Sequence, residues 1–366
     1  MHASIKITMT KIKFNNSNAL FFNTLRNRVD HYFQEKKINY TGNFQLYFKT
    51  AVLLSILVAC YTVLVFFTPA SNWISLGICA IMGLDMAAIG FNIMHDGAHG
   101  SYSSKKWVND MMSYSLNMLG GSSFMWKLKH NINHHSYTNI EGMDDDIDIK
   151  PFIRVHRDQK GYWFNRFQHI YSLLLYGMTY LFWIFLNDFK KYFSGKISDF
   201  TPIRKMKSSE HIAFWLTKIG YVGLFLILPF FFAGVINTLI GYTVIVFVTG
   251  IVIAVVFQLA HVVEEAPFID THGQDTKIET EWAVHQLNTT FNFATKNKTV
   301  SWLLGGLNFQ VEHHLFPKIS HVHYPELNKI LINTCKEFNI NYNEFPSVAS
   351  ALRSHLLHLK NIGSAA

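Results

Sequence analysis

The sequence predicts an all-α integral membrane protein with four transmembrane helices in two hairpins, one interfacial helix and a cytoplasmic helical cap. Three observations carry that expectation. The 366 residues are 49% hydrophobic and include 32 Phe, a balance that suits a membrane protein better than two or three soluble domains. Four apolar runs are long enough to cross a bilayer. Eight histidines fall in four short clusters just beyond the ends of apolar runs, where an unpartnered polar side chain is costly.

Residues 1–45 hold no apolar core framed by basic residues and a small-residue cleavage site, so no removable signal peptide is expected and the first span acts as its own anchor. Runs 46–67, 73–94, 212–233 and 236–258 each approach or exceed the roughly 20 residues that span a hydrocarbon core. The connections 68–72 and 234–235 are short, which makes two hairpins. A fifth run, 169–189, is long enough but mixes aromatic with polar residues. If it crossed, His261 at the end of the fourth strong run would emerge on the opposite side from His95 and His130. It is therefore expected to lie in the interface. No internal repeat or linker divides the chain, so the expected organisation is a cytoplasmic N-terminal segment 1–45, a membrane domain 46–330 and a cytoplasmic C-terminal tail 331–366.

Charge sets the orientation. Segment 95–211 carries 15 Lys and Arg while the two hairpin connections carry none, so the positive-inside rule places both termini and every histidine cluster in the cytoplasm. The net charge of +8 then faces anionic membrane lipid, and nothing resembles a nucleic-acid module. Cys60, Cys79 and Cys335 lack ligand spacing and read as packing residues.

The clusters are His95 with His99, His130 with His134 and His135, His261, and His313 with His314. His95/His99 and His130/His134 are i,i+4 pairs, which share one helix face, so each pair is expected to grip one ion. Imidazole suits Zn, Cu, Fe or Ni and leaves the metal open. Eight histidines exceed the four ligands of one tetrahedral zinc site and point to two ions side by side. Asp85, in the middle of the second run, is the one clear intramembrane acid; it is a weak candidate for substrate binding and equally a structural group.

Taken together, HDGAH at 95–99, HNINHH at 130–135 and QVEHH at 310–314 resemble the three histidine boxes of membrane fatty-acid desaturases, and the match runs over most of the chain. His261, in QLAH at 258–261, looks like the additional ligand placed before the third box. The resemblance implies two iron ions that activate O2 and remove two hydrogens from an acyl chain, leaving a cis double bond. Gln310 stands where many relatives have histidine, and with NFQVEHHLFP at 308–317 and EWAVHQLNTTFN at 281–292 it is similar to the front-end group. That implies an unsaturated fatty acyl-CoA or acyl-lipid, attacked near carbon 5 or 6, in the bacterial plasma membrane. The His-Pro-Gly-Gly signature of a fused b-type cytochrome does not occur in residues 1–45, so electrons are expected from a separate ferredoxin or b-type cytochrome with its reductase.

Asp96, Asp144, Asp146, Glu264, Glu265 and Glu312 stand beside the boxes and are candidates to hold the second nitrogen of a ligand, with Gln310 a possible ligand. Asp144 and Asp146 match an acidic motif of the family; Asp148 reads as solvated loop. His285 is left out of the ligand set, and His156, His169, His211, His272, His355 and His358 read as solvent or interface residues. Two other readings stand beside the desaturase. One is an acyl or carotenoid hydroxylase or ketolase on the same scaffold, separable by product analysis. The other is a metal transporter or sensor, which would place its ligands near the bilayer midplane rather than beyond the spans.

Overall fold

In the computed structural model, residues 12–364 are described apart from 18, 145, 147–148, 199–200 and 271–276. Among the described residues, five helices are long and apolar enough to cross a membrane: Phe44–Phe67, Asn72–His99, Trp163–Ser194, Ser208–Ala233 and Val235–His261. Four contain the four expected runs. Trp163–Ser194 contains the run expected to lie in the interface, and it qualifies as a span by length and composition alone.

Close backbone contacts order these helices, because small residues let helix axes approach where lipid supplies no hydrophobic drive. A Cβ on Gly83 would lie 2.7 Å from the Ile245 carbonyl oxygen, and Thr249 Oγ1 donates to the Gly83 carbonyl at 3.0 Å. Asn72–His99 and Val235–His261 therefore cross backbone to backbone. From that crossing, a rise of about 1.5 Å per residue carries His95 about 18 Å and His261 about 24 Å. The two C-terminal ends arrive at one place. Trp163–Ser194 crosses Val235–His261 in the same way, since a Cβ on Gly250 would lie 2.6 Å from the Gly177 carbonyl oxygen. Leu53, Met82, Met86, Tyr180, Tyr221 and Ile245 fill the space between the helices. Phe67, Trp73, Phe231 and Ile236 at the two hairpin tips are exposed, as apolar residues are where the neighbour is lipid.

At the other end the terminal helices pack on the rest of the chain. Helix Leu20–Lys36 repeats Phe21, Leu25, Val29 and Phe33 every fourth residue, and that stripe packs on Phe309 and Leu331. Helix Val348–Ser364 is held by His355, whose Nδ1 donates to the Val262 carbonyl at 2.6 Å and whose Nε2 pairs with the Tyr176 hydroxyl at 2.9 Å. His358 Nε2 donates to the Val155 carbonyl at 2.6 Å. One expectation changes here: His156, His355 and His358, read as solvent or interface residues, are buried. The cause is common to all three: each imidazole finds a specific polar partner, which offsets the cost of burying it. Two pairs of two-residue parallel strands, Lys13–Phe14 with Lys277–Ile278 and Asn292–Phe293 with Glu344–Phe345, pin distant segments together.

Candidate metal centre

The histidines arrive on four elements. His95 and His99 form the last turn of Asn72–His99, His261 ends Val235–His261, the second cluster lies in and just after Leu128–His134, and His313 and His314 sit in Gln310–Leu315. The segments Gly90–Met94 and Leu128–His134 are π-wound, with the wider i to i+5 turn that recurs at functional sites.

The eight histidines converge: among the described residues seven fall in two groups, and a third group joins His130 and His134 with Asp146. His95, His99, His130 and His313 bring one ring nitrogen each within 4.8 Å of one another, and so do His134, His261 and His314. His135 stands between, its Nε2 3.2 Å from His130 Nε2. His95 and His99 share a group; His130 and His134 stand in different large groups but also come together with Asp146, and neighbouring His313 and His314 divide. The His130 ring centre lies 5.0 Å from that of His134 and 4.8 Å from that of His135.

The chemistry of the ring nitrogens fits a metal. His261 Nδ1 faces the Thr289 carbonyl at 3.3 Å, so Nδ1 carries the proton and Nε2 keeps its lone pair. His314 Nδ1 meets Gln286 Oε1 at 2.9 Å while the same amide donates from Nε2 to the His135 carbonyl at 3.2 Å, which fixes that tautomer too. His130 Nδ1 meets Asp146 at 2.8 Å and His134 Nδ1 meets Asp144 at 2.9 Å. His313 Nδ1 pairs with the Tyr324 hydroxyl at 3.2 Å. On the opposite side, the buried Nε2 atoms of His95, His99, His134, His261, His313 and His314 have no hydrogen-bond partner. So many orphaned lone pairs facing one space are costly unless something accepts them, and a cation is what six imidazoles in that arrangement accept.

Electrostatics agrees. Burial pushes the His130 imidazolium down to about 4, against the pull of Asp146, and burial holds His135, His313 and His314 well below the ordinary histidine value. Neutral rings are ligands. His134 differs: burial opposes its charge, but the Asp144 carboxylate outweighs burial and raises it. Asp146 stays ionised despite burial because Lys129 and His130 hold its carboxyl well below the usual range.

The other candidates are placed as follows. Asp96 is buried but bonds Ser320 Oγ at 2.6 Å and His321 Nδ1 at 3.0 Å, not a box histidine. Glu264 accepts from Asn361 and Glu265 from Ser354, both on the C-terminal helix. Glu312 accepts from Asn292 and Asn328 at 2.7 and 2.8 Å, and burial pushes its carboxyl up to about 7. These four acids support neighbouring segments rather than ligand rings. Gln310 is buried, with its amide nitrogen unpartnered, three and four residues before His313 and His314 on the same helix. His285 Nε2 bonds the Thr138 carbonyl at 2.9 Å, so that nitrogen is occupied. Asp148 and His272 lie outside the described residues. Asp85 is 5% exposed with neither carboxylate oxygen partnered, and ten helical residues put it about 15 Å from His95. Gln286, Thr289 and Tyr324 were not distinguished by sequence. Gln286 and Thr289 stand in EWAVHQLNTTFN and Tyr324 follows the third box, so a motif was visible but its roles were not.

The fatty acid desaturase family matches this chain over residues 71–346. The chain belongs to the fatty acid desaturase family. It is 35% identical to the sn-1 linoleoyl-lipid 6-desaturase of Arthrospira platensis, over 97% of this chain and 95% of that protein. The protein of the same name from Synechocystis sp. is 35% identical, over 98% of this chain and 99% of its own. The acyl-lipid (8-3)-desaturase of Physcomitrium patens is 38% identical over 94% of this chain and 72% of that protein. This desaturase is thus an oxidoreductase of a family that uses iron, and its buried histidine groups lie inside the matched region.

Proposed function

We propose that this desaturase binds two iron ions through His95, His99, His130, His134, His135, His261, His313 and His314 and inserts a cis double bond into an unsaturated acyl chain carried on a membrane lipid, near carbon 5 or 6. The observation that carries the ligand set is the row of unpartnered Nε2 atoms facing one another. The front-end position and the lipid carrier are supported by Gln310 in the third box and by the relatives named for linoleoyl-lipid. When bound, the iron supplies O2 activation and hydrogen abstraction from the chain.

The protein's own part is to orient and to exclude. Asp144, Asp146, Thr289 and Gln286 keep the protons of His134, His130, His261 and His314 on Nδ1, so that the Nε2 atoms of these four rings point inward without rearrangement. The helices that end at the histidines also line an apolar cleft of about 280 Å³, bounded by Cys79, Met82, Phe225, Tyr242 and Ile245, which takes the methyl end of the chain. Asp85, one turn above Met82, stands along that route. A separate one-electron carrier, a ferredoxin or b-type cytochrome with its reductase, delivers the electrons.

The orientation belongs to the same reading. His95/His99 and His261 lie at one end of the bundle, and residue 235 at the other. One crossing between 99 and 235 satisfies that; two do not. Ser208–Ala233 is the crossing, and Trp163–Ser194 lies in the interface without crossing, leaving four spans with termini and histidines in the cytoplasm. The test of function is expression in a host fed linoleate, with new lipids identified by mass spectrometry and iron measured in the purified protein. A new double bond on the carboxyl side of the existing ones, with two iron atoms per chain, is expected. Active protein carrying stoichiometric zinc and no iron would overturn the metal assignment.

A further inference from the structure

Trp126, in helix Ser123–Lys127 leading into the second box, is 5% exposed. Its indole stacks on His130, with ring centres 4.3 Å apart and planes 23° apart. It meets His95 and His99 edge-on at 5.7 and 6.0 Å. One indole thus touches three rings of the first histidine group. It has no lone pair to offer a metal, and shape alone would be served by any large apolar side chain. What distinguishes indole is the ease with which it loses one electron.

Behind it the same chemistry continues. Trp183 packs on the cluster that contains Trp126 and also on the central core of the bundle. Tyr180 lies 6.5 Å from Trp183, ring centre to ring centre, and Tyr221 packs in the same core. The Tyr221 hydroxyl donates to the Tyr242 hydroxyl at 3.2 Å, and half-buried Tyr242 lines the apolar cleft. Trp183 differs from these tyrosines in having a base at hand: its Nε1 donates to Asp188 Oδ1 at 3.2 Å, whereas Tyr180 donates to the Leu119 carbonyl.

We propose that Trp126 and Trp183 form a protective electron path that spares the histidine ligands when O2 is reduced with no acyl chain in place. This rests on the iron reading above. Reduction of O2 to two waters takes four electrons and four protons. In desaturation the carrier protein gives two electrons, water gives two protons, and the acyl chain gives the rest as two hydrogens. Without the chain two electrons are missing, and the nearest donors are the ligand rings and Trp126. Trp126 gives one electron, becomes a radical cation, and is refilled by Trp183, whose indole proton passes to Asp188, the carboxylate that already accepts that N–H at 3.2 Å, and returns when Trp183 is reduced. The one-electron carrier refills the path, the second missing electron follows the same way, and water supplies the remaining protons. Excluding such side reactions is the protein's share of cofactor chemistry.

The test uses the purified, iron-loaded protein with O2 and a small-molecule one-electron reductant, without acyl substrate. Iron content and O2 uptake are measured in every sample, organic radicals by freeze-quench electron paramagnetic resonance, and damage by peptide mass spectrometry. The wild type is expected to show an organic radical and oxygen adducts at Trp126, with His130 intact. Trp126→Phe, which keeps a stacking ring, is expected to lose the radical signal, to acquire oxygen on His130 and to release iron several-fold faster per O2 consumed. Trp183→Phe is expected to leave the radical on Trp126 and raise adducts there several-fold. Wild type that holds no iron or takes up no O2 overturns the iron reading and this path with it. Iron-loaded Trp126→Phe that consumes O2 yet matches wild type in radical signal, adducts and iron retention overturns the path alone.

Discussion

Asp144 and Asp146 stand two residues apart, yet each holds the outward nitrogen of a different histidine, and those histidines belong to different large groups. Partners of this kind typically contribute about 10–100-fold in metal affinity or activity, so Asp144→Asn and Asp146→Asn should each lower iron occupancy and turnover by about that factor. Iron analysis beside lipid product yield checks this. The loop that carries both acids is anchored by Glu141, which accepts from His156 at 2.6 Å and Gln159 at 3.0 Å and pairs with Lys150. Burial opposes charge on Glu141, but His156 and Lys150 outweigh it and bring its carboxyl down to about 2 from an ordinary 4.5. A carboxyl depressed on folding stabilises above its unfolded value and loses that contribution as pH falls toward its folded one. Thermal stability in detergent should therefore drop between about pH 4.5 and 2, and Glu141→Gln should be less stable at pH 7 with a shallower fall. Equal slopes for the two proteins would remove Glu141 as the anchor.

Among the elements, two details do most to place the ligands. Leu128–His134 is π-wound, and its histidines serve both large groups while His130 and His134 stay together beside Asp146. The crossing of Val235–His261 over Trp163–Ser194 depends on a glycine, because a Cβ on Gly250 would meet backbone atoms of Tyr176 and Gly177 at 2.7 and 2.6 Å. Backbone cannot retreat as a side-chain tip can. Gly250→Val should cost at least the roughly 1–3 kcal/mol of ordinary overpacking and shift His261 relative to His134 and His314. A lower unfolding temperature together with reduced iron content is the expected outcome; unchanged values of both would mean that the helices part without consequence.

For the whole molecule, the convergence of His261 with His95 limits which helices cross. Cysteine labelling at residues near 100, 200, 275 and 350 should report one side, the cytoplasm, and labelling near 70 and 235 the other, in a background lacking Cys60, Cys79 and Cys335. Positions 150 and 200 on opposite faces would mean that Trp163–Ser194 spans, and the parity argument would fail.

Most of the apolar helices, and every histidine of the two groups, could be picked out from sequence because each leaves a local signature: uninterrupted apolar length for a span, repeated histidine at helical spacing for a ligand face. Membership of the desaturase family was likewise legible in short contiguous boxes. What only the tertiary structure decided involves residues far apart in the chain or conformations that letters do not specify. Gln286 reaches His314 across 28 positions and Thr289 reaches His261 across the same interval; no local pattern encodes such a bond. Glu264, Glu265 and Glu312 looked like ligand supports by adjacency, but adjacency in sequence leaves the direction of a side chain open, and theirs turn to Asn361, Ser354, Asn292 and Asn328. The termini read as tails because they are amphipathic and partly charged. Helices Leu20–Lys36 and Val348–Ser364 instead pack on the rest of the chain, since a stripe such as Phe21, Leu25, Val29 and Phe33 declares that it will be buried and not against what.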